Sequence, residues 1–151
     1  MSARTTSPRD ALDSLVVGVD HVGVAVRDLD EAISFYTDVF GMRLRHRESN
    51  EEQGVEEAML RIGDSMTEIQ LLAPLTPDSP IGKFLDRNGE GIQQMAYRVV
   101  DVEEAAARLR AAGLRLLYEQ PRRGTAGARI NFVHPKDCGG VLVELIEPVE
   151  S

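Results

Sequence analysis

An internal repeat restricts the fold of this chain more than any other feature of the sequence. The segment VGVDHVGVAVRDLDEA at residues 17–32 returns as GIQQMAYRVVDVEEA at residues 91–105, which places Gln94 73 residues after His21. A second pair of segments, EIQLL and LVELI, places Glu144 74 residues after Gln70. The nearly equal offsets predict two copies of one module with polar side chains at equivalent positions.

Each copy is predicted to be a β-α-β-β-β module. In the first copy, β-branched and alternating residues predict strands over residues 16–26, 42–48, 55–62 and 66–73. The helix between the first two strands has Asp28 or Asp30 as its N-cap and ends at Gly41. In the second copy, strands are predicted from residue 91 to 99 or 100 and over 114–118, 128–134 and 140–147, with a helix over 102–112 that follows Asp101 and stops at Gly113.

The connector between the copies is rich in Pro, Thr, Ser and Asp and covers residues 74–80. Ser79 and Pro80 suit the cap and first position of a short helix that Asn88 and Gly89 end. At 151 residues the chain fits one compact domain. We expect a frayed amino end over residues 1–15 and one domain over 16–151, made of repeats 16–74 and 91–148 joined by this short helical linker.

Composition and charge exclude several classes of function. A net charge of −8 argues against nonspecific binding to nucleic acid, which requires a broad basic surface. No apolar run approaches the ~20 residues that cross a bilayer, and the amino end lacks the apolar stretch of a signal peptide. Cys138 is the only cysteine, so no internal disulfide forms. We expect a reduced, cytoplasmic protein that forms a homodimer.

The repeated polar positions indicate a metal site. Polar side chains inside apolar strands cost free energy unless they are paired or bound to another group. The repeat places four such side chains at equivalent positions, His21, Gln70, Gln94 and Glu144. A divalent metal ion is the simplest group that would bind all four.

The module order and several long words of sequence resemble the vicinal oxygen chelate superfamily and, within it, the methylmalonyl-CoA epimerases. The words that carry the resemblance are DHVGVAV, EEQGVEEAM, EIQLLAP, GIQQMAYRV, LLYEQPRRGTAGARINFVHPK and GVLVEL. The resemblance covers nearly everything after Val16. It implies an α+β fold in which two tandem β-α-β-β-β modules form a curved mixed sheet around a divalent metal, and racemisation at the carbon next to a coenzyme A thioester.

By this resemblance, His21, Gln70 and Glu144 fall on the family's metal ligands. Position 94 departs from the pattern, because the family usually has a second histidine there. An amide oxygen can replace an imidazole without a change in charge, but it is the weaker donor, so the departure bears on metal affinity. The absence of thiolate ligands and the low histidine count favour Co²⁺, Mn²⁺ or Ni²⁺ over a closed structural zinc.

Glu57 matches the family's catalytic base, whereas its neighbour Glu56 should lie on the opposite face of the strand. A hydrogen between a thioester and a carboxylate is a weak acid, so its removal requires stabilisation of the enolate. Epimerisation also requires a proton donor on each face of the carbon. The resemblance therefore implies that Glu57 works from one face and Glu144, beside or on the metal, from the other.

A basic stretch near the carboxyl end predicts the binding of an anionic ligand. Arg122 and Arg123 lie in a predicted loop over residues 119–127 that has glycines at 124 and 127, and Lys136 follows the next predicted strand. Arginine forks suit phosphate groups, and glycines let a ligand approach the backbone closely. We expect these three residues to bind the coenzyme A part of an acyl-CoA substrate, although such clusters are more often solvated surface.

Three alternatives share the implied fold. A glyoxalase-like lyase or isomerase uses four equivalent ligands and enolate chemistry, but the words EEQGVEEAM and RRGTAGARINFVHPK favour the epimerase. An extradiol dioxygenase needs two histidines and a carboxylate on iron, and Gln94 removes one of the histidines. A non-enzymatic binding or resistance protein needs an aromatic-lined cleft, whereas only 5% of the residues are aromatic and none is tryptophan.

Overall fold

The computed structural model describes residues 10–149, which form two compact units. The first unit comprises residues 20–94, and the second unit comprises residues 10–19 with 95–149. Strands β1 (Val16–Ala25) and β5 (Gly91–Val99) each begin in one unit and end in the other. No helix of residues 10–149 has both the length and the apolar character needed to cross a bilayer.

The first unit is a helix-covered sheet of four strands. After β1 come helix α1 (Leu29–Phe40), strands β2 (Arg43–Asn50), β3 (Val55–Arg61) and β4 (Glu68–Pro74), and helix α2 (Pro80–Asn88). The strand order is β2-β3-β4-β1. Strand β1 is parallel to β4, while β3 is antiparallel to both of its neighbours, so this sheet is mixed as predicted.

Local sequence signals place the two ends of α1 and the start of α2 where the sequence predicts them. Asp28 is the N-cap of α1 and its carboxylate accepts a hydrogen bond from the backbone N–H of Glu31 at 3.0 Å. Gly41 ends the helix in the left-handed region at φ 70°. Ser79 caps α2 through the N–H of Gly82 at 3.1 Å, and Pro80 occupies the first turn.

The two faces of this sheet differ in chemistry. One face is apolar and packs against α1, where Leu29 contacts the core built by Ala58, Leu60, Leu71 and Ala73. The opposite face carries the alternate residues of the same strands, and we call it the site face. Helix α2 packs on one end of the site face, where Ile81 and Leu85 contact Leu72. The rest of the site face carries buried polar side chains.

The second unit contains helix α3 (Val102–Ala111) and strands β6 (Arg122–Arg123), β7 (Arg129–Val133) and β8 (Leu142–Glu147). The strands are antiparallel in the order β8-β7-β6. Asp101 caps α3 as predicted, by accepting from the N–H of Glu104 at 3.0 Å. The core of this unit lies between α3 and the sheet, with Val102 and Leu109 beside Val133 and Leu145.

The predicted strand over residues 114–118 is wrong. Leu116 makes only an isolated bridge to Val133, and no strand follows until β6. The reason is the buried side chain of Asn131. Its oxygen accepts a hydrogen bond from the N–H of Tyr118 at 3.1 Å, and its NH2 group donates one to the carbonyl oxygen of Tyr118 at 3.0 Å. The Asn131 side chain thus makes the hydrogen bonds with the Tyr118 backbone that a neighbouring strand would have made in a continuous sheet. The second strand of this module, after β5, is therefore β6.

Part of the predicted amino end belongs to the folded structure. Residues 10–15 form turns, Leu15 is buried in the core of the second unit, and its carbonyl accepts from the N–H of Val100 at 3.0 Å. Residues 1–9 of the predicted frayed end lie outside the described residues. The repeat boundaries at 16–74 and 91–148 stay a prediction.

Candidate active site

The sheet register of the first unit brings three of the predicted site residues onto the site face. Gln70 lies opposite Gly23 of β1 and opposite Met59 of β3. Because side chains alternate along a strand, His21 is two residues from Gly23 on the same face, and Glu57 is two residues from Met59 on that face. Glu56 takes the opposite face, as predicted, and its carboxylate accepts from Arg47 at 3.3 Å.

His21 is fully buried, and one of its ring nitrogens is bound to a carboxylate. Its Nδ1 lies 2.7 Å from Oδ2 of Asp20. A carboxylate on Nδ1 favours the tautomer in which that nitrogen carries the proton, so Nε2 is the ring nitrogen whose lone pair could bind a metal. This carboxylate–histidine pair is the arrangement that commonly orients a histidine ligand of a metal. Asp20 is not among the site residues predicted from the sequence, although it directly precedes His21.

Glu57, Gln70 and Gln94 form a chain of hydrogen bonds. Gln94 donates from Nε2 to Oε1 of Gln70 at 3.3 Å, and Gln70 donates from Nε2 to Oε1 of Glu57 at 2.5 Å. All three are buried, and Glu57 is only 2% exposed. A charged carboxylate at this depth requires a donor, and the Gln70 amide supplies one. The predicted base is therefore held in place by a predicted metal ligand.

Glu144 lies on β8 in the second unit. It is buried at 4% exposure and stands opposite Phe132 of β7. Leu145 and Ile146, the next two residues of β8, belong to buried apolar clusters. A buried carboxylate in such a strand fits the role of metal ligand or base that the sequence predicts, and this role stays a prediction.

The donor chemistry of the first unit fits a divalent ion. His21 offers an imidazole nitrogen, and Gln70 and Gln94 each carry an amide oxygen, which are donors that borderline and hard divalent ions accept. Within residues 10–149, no three or more His, Cys, Asp and Glu side chains group together in a way that could hold a metal. The predicted set is compatible with this finding, because two of its four members are glutamines.

The site face also carries polar residues that the sequence did not indicate. His46 and Glu48 of β2 lie opposite Met59 and Glu57 respectively, and Nε2 of His46 lies 2.5 Å from Oε1 of Glu48. Glu68 of β4 is opposite His21 and forms a two-point ion pair with Arg45. The hydrogen bond to Glu68 raises the pKa of the Arg45 guanidinium.

The predicted substrate-binding residues are exposed in the second unit. Arg122 and Arg123 form β6, and Lys136 lies in the 3-10 turn Pro135–Asp137. Adjacent strand residues face opposite ways, so the two arginines do not share a face. The Arg122 guanidinium carbon stacks 4.0 Å from the ring centroid of Tyr118, which is a cation–π contact.

Comparison with known proteins identifies the family. Residues 20–132 match the family model of the Glyoxalase/Bleomycin resistance protein/Dioxygenase superfamily. The chain belongs to this superfamily. Its sequence is 40% identical over 128 residues to the mitochondrial methylmalonyl-CoA epimerase of Mus musculus, which covers 84% of this chain and 71% of that protein.

Two solved structures of epimerases are similar to this chain over most of its length. The methylmalonyl-CoA epimerase of Mycobacterium tuberculosis is 57% identical with a TM-score of 0.89, covering 91% of this chain and 92% of that one. A variant of the Streptomyces coelicolor methylmalonyl-CoA epimerase, in complex with 2-nitronate-propionyl-CoA, is 46% identical with a TM-score of 0.87, covering 89% and 99%. The predicted family and the α+β vicinal oxygen chelate fold are confirmed.

Proposed function

We propose that this protein is an epimerase that interconverts (R)- and (S)-methylmalonyl-CoA. The observation that carries the proposal is the buried carboxylate of Glu57, which Gln70 holds on the same face as His21. Proteins of the same family with up to 57% sequence identity to this chain are named methylmalonyl-CoA epimerases. No contact of the described residues favours the glyoxalase-like or binding-protein alternatives.

The reaction moves a proton at the carbon between the thioester and the free carboxylate of the substrate. Glu57 takes the proton from one face of this carbon, and Gln70 fixes the Oε1 side of the base by its hydrogen bond. Glu144 serves as the acid and base for the other face. Two bases on opposite faces invert the centre, because one removes the proton as the other returns it.

His21, Gln70, Gln94 and Glu144 would hold a divalent ion, for which we propose Co²⁺, Mn²⁺ or Ni²⁺. When bound, such an ion supplies electrostatic stabilisation for the enolate oxygen, worth several kcal/mol by general precedent. Asp20 orients His21 through Nδ1 for this purpose.

The coenzyme A end of the substrate is proposed to bind the exposed cations Arg122, Arg123 and Lys136, whose charge complements its phosphates.

The homodimer and the cytoplasmic location stay predictions. Cys138 is half-buried, and its burial raises the pKa of the thiol, so the thiol stays protonated at neutral pH.

Incorporation of solvent deuterium into methylmalonyl-CoA tests the proposal. The protein should exchange the proton next to the thioester and equilibrate the two epimers, and the same sample should show no glyoxalase activity. Isomerisation of a glutathione hemithioacetal without exchange of the acyl-CoA would establish the glyoxalase-like alternative instead.

A further inference from the structure

A histidine and a glutamate of β2 share the site face with the proposed base. His46 Nε2 and Glu48 Oε1 lie 2.5 Å apart, within hydrogen-bond distance. The proposed function assigns neither residue a role. Their position is therefore a feature of this chain that the epimerase proposal leaves unexplained.

A β-bulge puts this pair on the site face. Leu44 is opposite Leu60, but His46 is opposite Met59, so one residue of β2, Arg45, is inserted between them. A bulge of this kind reverses which side chains of the strand face which way. In an unbroken register His46 would have faced the apolar side that packs against α1.

Glu48 stands directly opposite Glu57 in the pairing of β2 with β3. Residues directly opposite in an antiparallel pair have Cβ atoms about 5 Å apart, within reach of two glutamate side chains. The register therefore places the Glu48 carboxylate within reach of the proposed base.

The three residues become more exposed in order along the face. Glu57 is 2% exposed, whereas the side chains of Glu48 and His46 are 18% and 32% exposed. The other carboxylate of the face, Glu68, is held by ion pairs to Arg45 and Arg61 and is 10% exposed at its side chain. The exposure thus rises from Glu57 through Glu48 to His46, towards solvent.

An epimerase with two bases needs a path of this kind. After each turnover in one direction, the base that removed the proton is protonated and the base that returned one is ionised. The enzyme must exchange both protons with solvent before it can repeat the same direction. Burial of Glu57 slows direct exchange with water, so a group that carries its proton outwards would set the rate at high flux.

We infer that Glu48 and His46 carry protons between Glu57 and solvent, an inference that rests on the proposed epimerase function. The proton of the Glu57 carboxyl passes to the Glu48 carboxylate, which leaves Glu57 ionised. Glu48 then gives a proton to Nε2 of His46, and the imidazolium releases a proton to water or buffer. The reverse sequence reloads Glu57 when it must act as the acid.

Steady-state kinetics of His46→Gln and Glu48→Gln, run beside the native enzyme, test the relay. At low substrate the free enzyme has time to equilibrate with solvent, so kcat/KM should stay unchanged. At high substrate the exchange limits turnover, and kcat should fall roughly tenfold, less than the ~10²-fold typical of a group that touches substrate. Added imidazole should restore kcat in His46→Gln, because a diffusible base can replace the missing one.

Arg47→Gln is the matched control, because Arg47 lies between the two relay residues in sequence but faces the opposite side, where it is paired with Asp30 and Glu56. It should leave both kcat and the response to imidazole unchanged. A native enzyme without epimerase activity overturns the proposed function. An active native enzyme whose His46→Gln form keeps its kcat, or loses it without rescue by imidazole, overturns the relay alone.

Discussion

Gly23 leaves the space that the side chain of Gln94 fills. A Cβ atom at position 23 would lie 2.6 Å from Cγ of Gln94 and 3.1 Å from Cδ1 of Leu72. Real Cβ atoms essentially never approach another atom as closely as 2.6 Å. Gln94 donates to Gln70, which donates to Glu57. Gly23 therefore leaves the space for the side chain of Gln94, the first donor of this chain of hydrogen bonds.

Gly23→Ala should therefore destabilise the protein and weaken metal binding together. The added methyl pushes Gln94 aside, at about 1–3 kcal/mol for an overpacked buried site. Urea unfolding gives the stability, and competition with a chelator gives the metal affinity.

Two variants control for this effect. Gly18→Ala lies on the same strand with open space around its Cβ and should cost nothing. In the double variant Gly23→Ala with Gln94→Ala the clash is gone, so the two effects on stability should not add. Strict additivity would show that Gly23 and Gln94 do not act on each other.

Gln94→His should tighten metal binding, because imidazole is the better donor for late first-row ions. Activity need not rise with it, since the substitution also removes the hydrogen bond from Gln94 to Gln70. Chelator competition measures the retention of metal, with Gln93→His as the neighbour whose side chain faces the other way. Equal or weaker retention than in the native protein would remove Gln94 from the ligand set.

The parts of the fold that follow from the sequence are those determined by local chemistry. Asp28, Gly41, Ser79 and Asp101 define helix ends through contacts within a few residues, so their positions were predictable. The positions of His21, Gln70 and Glu57 on one face follow from strand alternation once the strands are known.

The features that the sequence did not reveal depend on contacts between distant residues. The bulge at Arg45 places the side chain of His46 on the site face, and no local sequence pattern in β2 indicates this bulge. The strand predicted over residues 114–118 is lost because Asn131, thirteen residues after Tyr118, binds the Tyr118 backbone. Both outcomes are tertiary effects that override local propensity.

Asp137→Asn should lower thermal stability in a pH-dependent way. Hydrogen bonds from Arg115 lower the pKa of the Asp137 carboxyl from its ordinary 3.8 to about 2. Because the folded state holds this proton less tightly than the unfolded state, the ionised group stabilises the fold above about pH 4. This contribution disappears as the pH falls towards 2.

Thermal unfolding of both proteins between pH 6 and pH 2, followed by circular dichroism, checks this prediction. The difference in Tm should be constant above about pH 4 and should shrink below it. A difference that does not change with pH would mean that the ion pair with Arg115 is not its source.

Arg122→Ala and Arg123→Ala should raise the KM for the acyl-CoA with little effect on kcat, because the proposed contacts are made to the coenzyme A end. The single variants should differ, since Arg122 stacks on Tyr118 and the two arginine side chains face opposite ways. Initial rates over a range of substrate concentrations separate the two constants. An unchanged KM in the double variant would place the coenzyme A elsewhere.

The last prediction separates the two proposed bases. Glu57→Gln should preserve the fold and the metal content, because the new amide can turn its oxygen towards the donor Nε2 of Gln70. Epimerisation should fall by at least the ~10²-fold typical of a positioned acid or base. Glu56→Gln, one residue away on the opposite face, should keep its activity and serves as the control.

Glu144→Gln should instead damage both chemistry and metal retention, because one carboxylate is proposed to serve as base and ligand. In deuterated solvent, Glu57→Gln should still exchange the proton of one epimer through Glu144 without inverting it. Proton NMR and a chiral assay of the acyl group separate exchange from inversion. Native rates of inversion in Glu57→Gln would remove this residue from the mechanism, and full metal content in Glu144→Gln would leave Glu144 as a base alone.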